Sequence, residues 1–350
     1  ISYTVDVYRG LIQPEKDFIL YACYITFFPQ LVAGPVLRAV EVIHQFAQRP
    51  PFFWSDIVVG MRRIIYGLFL KVVLADNIAP LVDTGYSMPV EVMSALDVWT
   101  LAFLFGFQIY FDFSAYSHIA LGSARLMGIK FPENFNFPYL SKSPKEFWRR
   151  WHISLSSWIR DYLYLPLAGI HVHDRSIGGL SHATIDKSKN KVLFITWMIM
   201  GLWHGANWTF VLWGTYHAVV IVLYRLLSPL TKSFSGTIKT LGGVFFTLPI
   251  MMLSWIPFRS ESLDVAINMW VKVFNPYLYG SLGMRENIYL GTAVILVGVF
   301  TTYWVKHKLI PSINPKGYLF ILGEVTAFTI MFSLVIIFFR PVNQFIYFQF

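Results

Sequence analysis

Long apolar runs are the feature that most constrains this chain. A helix needs about 20 mainly apolar residues to cross about 30 Å of hydrocarbon. Runs of this kind lie between charged residues at 17–34, 56–75, 96–122, 192–212, 213–228, 238–257, 287–305 and 317–339. Only 13% of the 350 residues are charged and 56% are hydrophobic, which leaves too few polar side chains to cover a water-soluble globule. The sequence therefore predicts an all-α integral membrane protein.

The charge balance agrees with this class. Lys and Arg number 28 against 19 Asp and Glu, a net charge of +9. This excess fits the basic bias of cytoplasmic loops, so we expect the lipid bilayer as a partner and no nucleic acid. The single cysteine, Cys23, excludes an intrachain disulfide. The chain starts at Ile1 inside a helix-like stretch, and we expect further N-terminal spans to precede it.

Two of the runs are unusual. The run at 56–75 carries Arg62, Arg63 and Lys71, which indicates a tilted or interfacial helix. The apolar stretch from Val192 to Leu227 is too long for one crossing. Its small residues predict a break or a close helix contact, and so two short helices: Gly201, Gly205, Ala206 and Gly214.

The segment at 132–191 has a different character, being basic, aromatic and interrupted by prolines. We expect its flanks on the cytoplasmic side. Ser143 and Pro144 mark a helix start, and apolar residues follow at helical spacing: Phe147, Trp151, Leu155 and Trp158. This pattern predicts an amphipathic or re-entrant helix at the membrane interface, followed by a polar loop at 169–191.

His204 is the first catalytic candidate, because an ionisable side chain inside a membrane costs several kcal/mol. It lies 13 residues beyond Lys191, about 20 Å deep if the intervening chain is helical. The alternative is a packing histidine that is hydrogen-bonded to a carbonyl.

His152 is the second candidate, sharing a predicted helix face with Trp148, Arg149 and Ser156. Its alternative is an interfacial histidine among aromatic anchors. Asp112, inside an apolar run, is expected either in a buried ion pair with an arginine of the basic segment or in direct catalysis.

The other polar residues give weaker signals. His171 and His173 beside Asp174 lack the spacing of metal ligands, so no metal site is predicted. No G-x-S-x-G, P-loop or G-x-G-x-x-G motif occurs. A basic set could bind phosphates of lipid headgroups or of a nucleotide-bearing cofactor: Lys142, Lys145, Arg149, Arg150 and Arg160. Glu146 also gives Arg149 and Arg150 an ordinary helical ion-pair partner.

Four blocks resemble the membrane-bound O-acyltransferase family in its bacterial alginate O-acetylation branch. They are FFPQLVAGPVLR (27–38), YFDFSAYSHIALGSARLMGI (110–129), FPENFNFPYLSKSPKEFWRRWHISLSSWIRDYLYLPL (131–167) and GLWHGANWTFVLWGTYHA (201–218). The resemblance implies one membrane domain over 1–350, in which tilted helices ring a central funnel with interfacial or re-entrant helices. It places the catalytic histidine at His204 and a supporting histidine at His152.

The resemblance also implies the chemistry. The protein is expected to take an acetyl group from a cytoplasmic thioester, acetyl-CoA, which is a substrate and not a permanently bound cofactor. Neutral His204 would accept the proton of the attacking group, and His152, Asn207 or Ser156 would orient the reactants or stabilise the oxyanion. The five basic residues named above would receive the phosphates of coenzyme A.

The resemblance further implies a bacterial inner-membrane location, an exported polysaccharide such as alginate, and periplasmic or surface polysaccharide O-acetyltransferases as partners. Peptidoglycan, cellulose and D-alanylated teichoic acid remain alternative acceptors. A transporter of an activated group or glycolipid also fits a midplane histidine near helix breaks, and a purely structural scaffold is the remaining alternative.

Overall fold

The computed structural model describes residues 1–31, 34–48, 51, 53–170, 190–231, 236–314, 317–341 and 345–346. Every regular element in these ranges is helical, as predicted. The α-helices are α1 (Ser2–Tyr8), α2 (Phe18–Thr26), α3 (Ala39–Gln48), α4 (Trp54–Leu68), α5 (Asp76–Tyr86), α6 (Ala95–Leu126), α7 (Pro144–Phe147), α8 (Ile153–Ile159), α9 (Leu165–Leu167), α10 (Asn190–His204), α11 (Trp208–Leu227), α12 (Gly236–Arg259), α13 (Leu263–Val273), α14 (Glu286–Trp304) and α15 (Tyr318–Phe338). Short 3₁₀ or π turns connect or extend several of them, at Phe28–Gln30, Phe69–Ala75, Val90–Val92, Pro138–Leu140, Arg160–Tyr164, Ser228–Thr231, Pro276–Tyr279, Val305–Leu309 and Ile310–Ser312.

Five helical stretches within the described ranges are long and apolar enough to cross a membrane: Ala95–Leu126, Trp208–Leu230, Thr240–Arg259, Glu286–Ser312 and Tyr318–Phe338. Each coincides with a predicted run. The predicted span at 17–34 is wrong, because α2 ends at Thr26 and Pro29 lies in a separate short turn. The run at 56–75 forms α4 and a π turn.

Helix α6 lies at the centre of the fold. Its N-terminus is closed by a capping box, in which Ser94 and Asp97 satisfy each other's backbone N–H groups. Helix α4 packs against α6 through two glycines, since a Cβ on Gly122 would lie 2.7 Å from the carbonyl oxygen of Gly60. Helices α5, α12 and α13 also pack on α6, so this helix is buried along most of its length.

Helices α14 and α15 form the outer surface that is most apolar. Their exposed side chains include Leu290, Val294, Val297, Leu319, Val325 and Phe332. A soluble monomer rarely exposes so large a continuous apolar surface. Hydrocarbon is the environment that suits it, in agreement with the predicted membrane fold.

The expectation of one amphipathic helix after Ser143 is wrong. Helix α7 ends at Phe147, the chain turns, and His152 adopts left-handed φ and ψ angles of 40° and 58° before α8 begins. Consequently His152 does not share a helix face with Trp148. Phe147, Trp151 and Leu155 are buried in the protein core, so this part of the segment packs against other helices of the protein.

Asp112 lies in a buried ion pair, but its partner is not an arginine of the basic segment. The Nζ of Lys71, from the π turn after α4, lies 2.7 Å from Asp112 Oδ1 and 2.9 Å from Asp76 Oδ1. The backbone N–H of Ile346 donates to the other oxygen of Asp112. This pair connects α6 to the preceding helices and to the C-terminal part of the chain.

Candidate active site

Helices α10 and α11 form an antiparallel hairpin that breaks at residues 205–207. A Cβ on Gly201 would lie 2.2 Å from the carbonyl oxygen of Phe210, and one on Gly214 would lie 2.1 Å from that of Trp197. Only glycine permits these backbones to approach so closely. The predicted break and close contact are both confirmed, and together they fix the end of α10.

His204 is the last residue of α10. This helix has 15 residues and is therefore about 22 Å long, shorter than the roughly 30 Å of a hydrocarbon layer. The side chain is only 9% exposed. Its ring contacts Trp213 and Phe258, each at 5.1 Å between ring centroids.

His152 is held by a polar group that the sequence did not indicate. Asn134 donates through Nδ2 to Ser117 Oγ, so its Oδ1 is the accepting atom. That oxygen lies 3.1 Å from His152 Nδ1 and also accepts from Ser154. The network assigns the imidazole proton to Nδ1 and leaves Nε2 as the accepting nitrogen.

Both histidines line one small chamber. Its walls are Ile109, Trp148, Trp151, His152, Leu155, Met200, His204, Trp213, Trp255 and Phe258. The free volume is about 10 Å³, roughly the least that holds one water molecule. The structure thus brings together the two histidines predicted as catalytic, in a nearly closed aromatic enclosure.

A much larger cavity of about 590 Å³ adjoins this chamber. Trp148 and Met200 line both spaces and therefore separate them. Three basic residues line the large cavity, Lys145, Arg160 and Arg225, which we call the cationic rim. No acidic residue lines it among the residues the structure describes. Most of its other lining residues are apolar or aromatic, and Trp148 and Met200 place the cavity beside the histidines.

Helical spacing explains why the two spaces align. On α10, the lining residues Leu193, Thr196, Trp197 and Met200 share one face with His204. On α11, Trp213 lines the chamber and Arg225 lines the cavity. These two positions are 12 residues apart, or about 18 Å along the helix.

The cationic rim is anchored by a polar network. Asp161 pairs with Arg38 at 2.8 Å and with Arg160 at 2.6 Å. The hydroxyl of Tyr162 donates to both oxygens of Asp6, at 2.8 and 2.7 Å. Burial raises the pKa of Asp6 and, more strongly, that of Tyr162. The network holds Arg160 in place at the cavity.

The remaining predicted residues divide into two groups. Lys145, Ser156 and Arg160 line the large cavity. The others do not line either space: Lys142, Arg149, Arg150, Asn207 and Asp112.

Several of these residues have other hydrogen-bond roles. Arg150 pairs with Glu146 at 2.6 Å, as expected. Asn207 accepts the backbone N–H of Thr209 as the N-cap of α11, and Ser156 donates to the carbonyl oxygen of Trp151.

The sequence did not single out the lining residues Met200, Trp213 and Arg225, nor Asn134, which holds His152 from outside the two spaces. The sequence could have indicated Arg225, because it is a basic residue in the last turn of an apolar helix. It lies at the same end of the helical hairpin as Lys191. The aromatic and sulfur residues gave no such indication, because core packing uses the same residue types. His171 and His173 lie outside the described residues.

Comparison with known proteins gives consistent similarities. The model of the MBOAT, membrane-bound O-acyltransferase family matches residues 14–258. The chain is 40% identical over 275 residues to a probable alginate O-acetylase AlgI of Azotobacter vinelandii, covering 79% of this chain and 52% of that protein.

Two further relatives differ in their named substrates. A peptidoglycan O-acetyltransferase of Helicobacter pylori is 35% identical over 256 residues, covering 73% of this chain and 46% of that protein. A teichoic acid D-alanyltransferase of Bacillus subtilis is 30% identical over 239 residues, covering 67% and 58%. The chain thus spans about half the length of the curated relatives it matches.

Proposed function

This chain belongs to the membrane-bound O-acyltransferase family, and on that premise we propose that it forms the acyl-transfer core of a membrane O-acetyltransferase. It takes an acetyl group from cytoplasmic acetyl-CoA and passes it across the bacterial inner membrane for O-acetylation of an exported polysaccharide. Alginate is the first acceptor to test, because the relative of 40% identity is named for it. Peptidoglycan, cellulose and teichoic acid, the last as acceptor of a D-alanyl group, are the alternatives, and periplasmic or surface O-acetyltransferases are the proposed partners.

One observation carries the proposal: a cavity with a cationic rim ends at a chamber that contains two histidines. Arg225 at the rim and Trp213 in the chamber wall are about 18 Å apart along α11. This spacing suits a donor that carries phosphates at one end of an arm and a reactive thioester at the other. Lys145, Arg160 and Arg225 are the phosphate-binding groups in this proposal.

The chemistry then needs little beyond positioning and one base. A thioester is already activated, so the site has to align it with the acceptor and remove the acceptor's proton. His204 accepts that proton and returns it to the leaving thiolate of coenzyme A. His152 is fixed by Asn134, and it orients the reactants within the same chamber.

The first test measures release of free coenzyme A from acetyl-CoA by membranes that contain the full-length protein and its periplasmic partner. His204→Ala is expected to lower turnover at least about 100-fold, while His44→Ala, on an exposed residue of α3, leaves it unchanged. Undiminished turnover in His204→Ala would remove His204 from the role of base. If wild type restores polysaccharide acetylation in cells without releasing coenzyme A, a transporter replaces the acyltransferase.

A second test concerns the rim. Arg225→Ala is expected to raise the KM for acetyl-CoA about tenfold, the effect of losing about 1.4 kcal/mol of phosphate binding. The KM for S-acetyl-pantetheine, which lacks the nucleotide phosphates, should not change. Arg285→Ala is the matched control, because Arg285 precedes α14 and lines neither space. Equal effects on both thioesters would contradict phosphate binding at the rim.

A further inference from the structure

Three tryptophans in the wall of the histidine chamber carry buried indole N–H groups without a hydrogen-bond partner among the described residues: Trp148, Trp213 and Trp255. Of these, Trp213 contacts His204 directly and Trp148 packs against Trp213. Trp148 is 9% exposed and Trp213 only 1%. The indole nitrogen of each is buried and has no hydrogen-bond partner within the part of the chain that the structure describes. Leaving such a donor unsatisfied costs about 1–3 kcal/mol. Because both side chains line the same chamber, an accepting atom from a bound molecule is the natural partner for both.

The two indoles are held rigidly next to the proposed base. Their rings lie 5.9 Å apart at 79°. Trp213 contacts His204 at 5.1 Å on one side and His217 at 4.8 Å on the other, and His217 also contacts Trp148 at 4.9 Å. Packing of this density leaves the rings little freedom, so the donors are preorganised.

The three polar groups that the sequence suggested for oxyanion stabilisation do not offer a free donor to the chamber. His152 lines the chamber, but its Nδ1 proton is directed to Asn134 and its Nε2 is the accepting nitrogen. Asn207 caps α11 and is exposed, and Ser156 donates to a backbone carbonyl. The chamber itself offers about 10 Å³ of free volume, which matches one group the size of a water molecule. A carbonyl oxygen has this size.

We propose that the indole N–H groups of Trp148 and Trp213 bind the carbonyl oxygen of the donor thioester and the oxyanion that forms on it. The inference rests on the proposed acyl transfer. The acceptor oxygen bonds to the carbonyl carbon, the π electron pair moves onto the carbonyl oxygen, and the acceptor proton passes to His204. The C=O bond then re-forms, the C–S bond breaks, and sulfur leaves with the electron pair and takes the proton from His204 as free thiol.

The catalytic benefit follows from where the charge develops. Negative charge appears on the carbonyl oxygen only as the tetrahedral intermediate forms, so donors aimed at this atom stabilise the transition state more than the bound substrate. The low dielectric of the buried chamber strengthens the interaction further. Both indoles therefore act on kcat and much less on donor binding.

The experiment compares Trp148→Phe and Trp213→Phe, which keep an aromatic ring and remove the N–H. We expect kcat for coenzyme A release to fall about 10- to 100-fold in each, with the KM for acetyl-CoA within about twofold of wild type. Trp270→Phe is the matched control. Its indole N–H is paired with the carbonyl oxygen of Leu253, and it lines neither the chamber nor the large cavity.

A binding measurement separates hydrogen bonding from packing. S-carboxymethyl-coenzyme A places an anionic carboxylate in the chamber, whereas S-acetonyl-coenzyme A places a neutral ketone there. We expect wild type to prefer the anionic analogue and both tryptophan variants to lose that preference. Because wild type alone provides the first comparison, the test remains decisive if a variant fails to fold.

The outcomes distinguish the inference from the proposed function. Unchanged kcat in both tryptophan variants, or no anionic preference in wild type, overturns the indole site while His204-dependent coenzyme A release still stands. Loss of kcat with loss of anionic preference supports it. If wild type releases no coenzyme A, or His204→Ala still does at full rate, the proposed function itself fails.

Discussion

Gly201→Ala is the substitution that most directly tests how the fold positions His204. Gly201 lies three residues before His204 on α10, at a close backbone contact with α11. A Cβ there would meet the Phe210 carbonyl oxygen at 2.2 Å, short by about 0.8 Å of the 3.0 Å that real Cβ contacts keep. Since the obstacle is backbone, the end of α10 must move away from α11 by roughly this amount, and His204 moves with it.

The size of the effect follows from that displacement. Overpacking of this kind costs about 1–3 kcal/mol of stability, and a shift near 1 Å at a catalytic group lowers the rate about 100-fold. We therefore expect Gly201→Ala to insert and fold, with a lower Tm in detergent and about 100-fold slower coenzyme A release.

The matched control is Gly298→Ala. Gly298 lies within α14, and a Cβ there meets nothing within 4 Å. This variant should retain full turnover and gain up to about 1 kcal/mol of stability from a better helix former. If Gly201→Ala has normal turnover and normal Tm, close packing of the hairpin is not what positions His204.

Three further variants test other parts of the structure. Met200→Ala removes a side chain that lies between the cavity and the chamber, which makes room for a longer acyl chain. Turnover of propionyl-CoA relative to acetyl-CoA should therefore rise about tenfold. An unchanged ratio would show that Met200 does not limit the length of the acyl group. Lys71→Met leaves Asp112 buried without its cation and should lower the free energy of unfolding by about 3–5 kcal/mol. The double variant Lys71→Met/Asp112→Leu should regain much of this loss. A double-mutant cycle of thermal unfolding measures both effects. Burial raises the pKa of Asp6 above its ordinary 3.8, so the folded chain loses stability as pH rises through that raised pKa. Asp6→Asn should therefore show a smaller fall in Tm between about pH 4 and pH 7 than wild type, and equal slopes would contradict the buried carboxyl as the cause.

The sequence predicted the parts of the molecule that obey one-dimensional rules. Apolar runs of sufficient length marked the five helices that can cross a membrane in the described part of the chain, because hydrocarbon thickness sets a minimum helix length. Gly201, Gly205 and Gly214 marked the hairpin, because close backbone contact leaves no room for a Cβ. His204 stood out because burying an ionisable imidazole deep in an apolar run costs free energy, which marks it as a functional candidate.

Other features depended on contacts between distant residues and were beyond local reasoning. The helix predicted after Ser143 ends at Phe147. The turn that follows buries Trp151 in the core and places His152 within hydrogen-bond distance of Asn134. Asp112 pairs with Lys71 from a preceding turn. Helical periodicity predicts neither partner, since it describes only neighbours three or four residues apart.

The tryptophans show a deeper reason for the gap. In a sequence, Trp148 and Trp213 are indistinguishable from core residues, and their large apolar area would place them inside any fold. What separates them from ordinary packing residues is an unpaired N–H beside a buried histidine, which requires knowing what each indole does not contact. In a membrane interior, where charged donors are costly, a neutral N–H on an apolar ring supplies hydrogen bonding without the desolvation penalty of a cation. If acyl transfer takes place in this chamber as proposed, tryptophan supplies the hydrogen bonds there without introducing a charge, and the variant comparison with Trp270 distinguishes that use from packing.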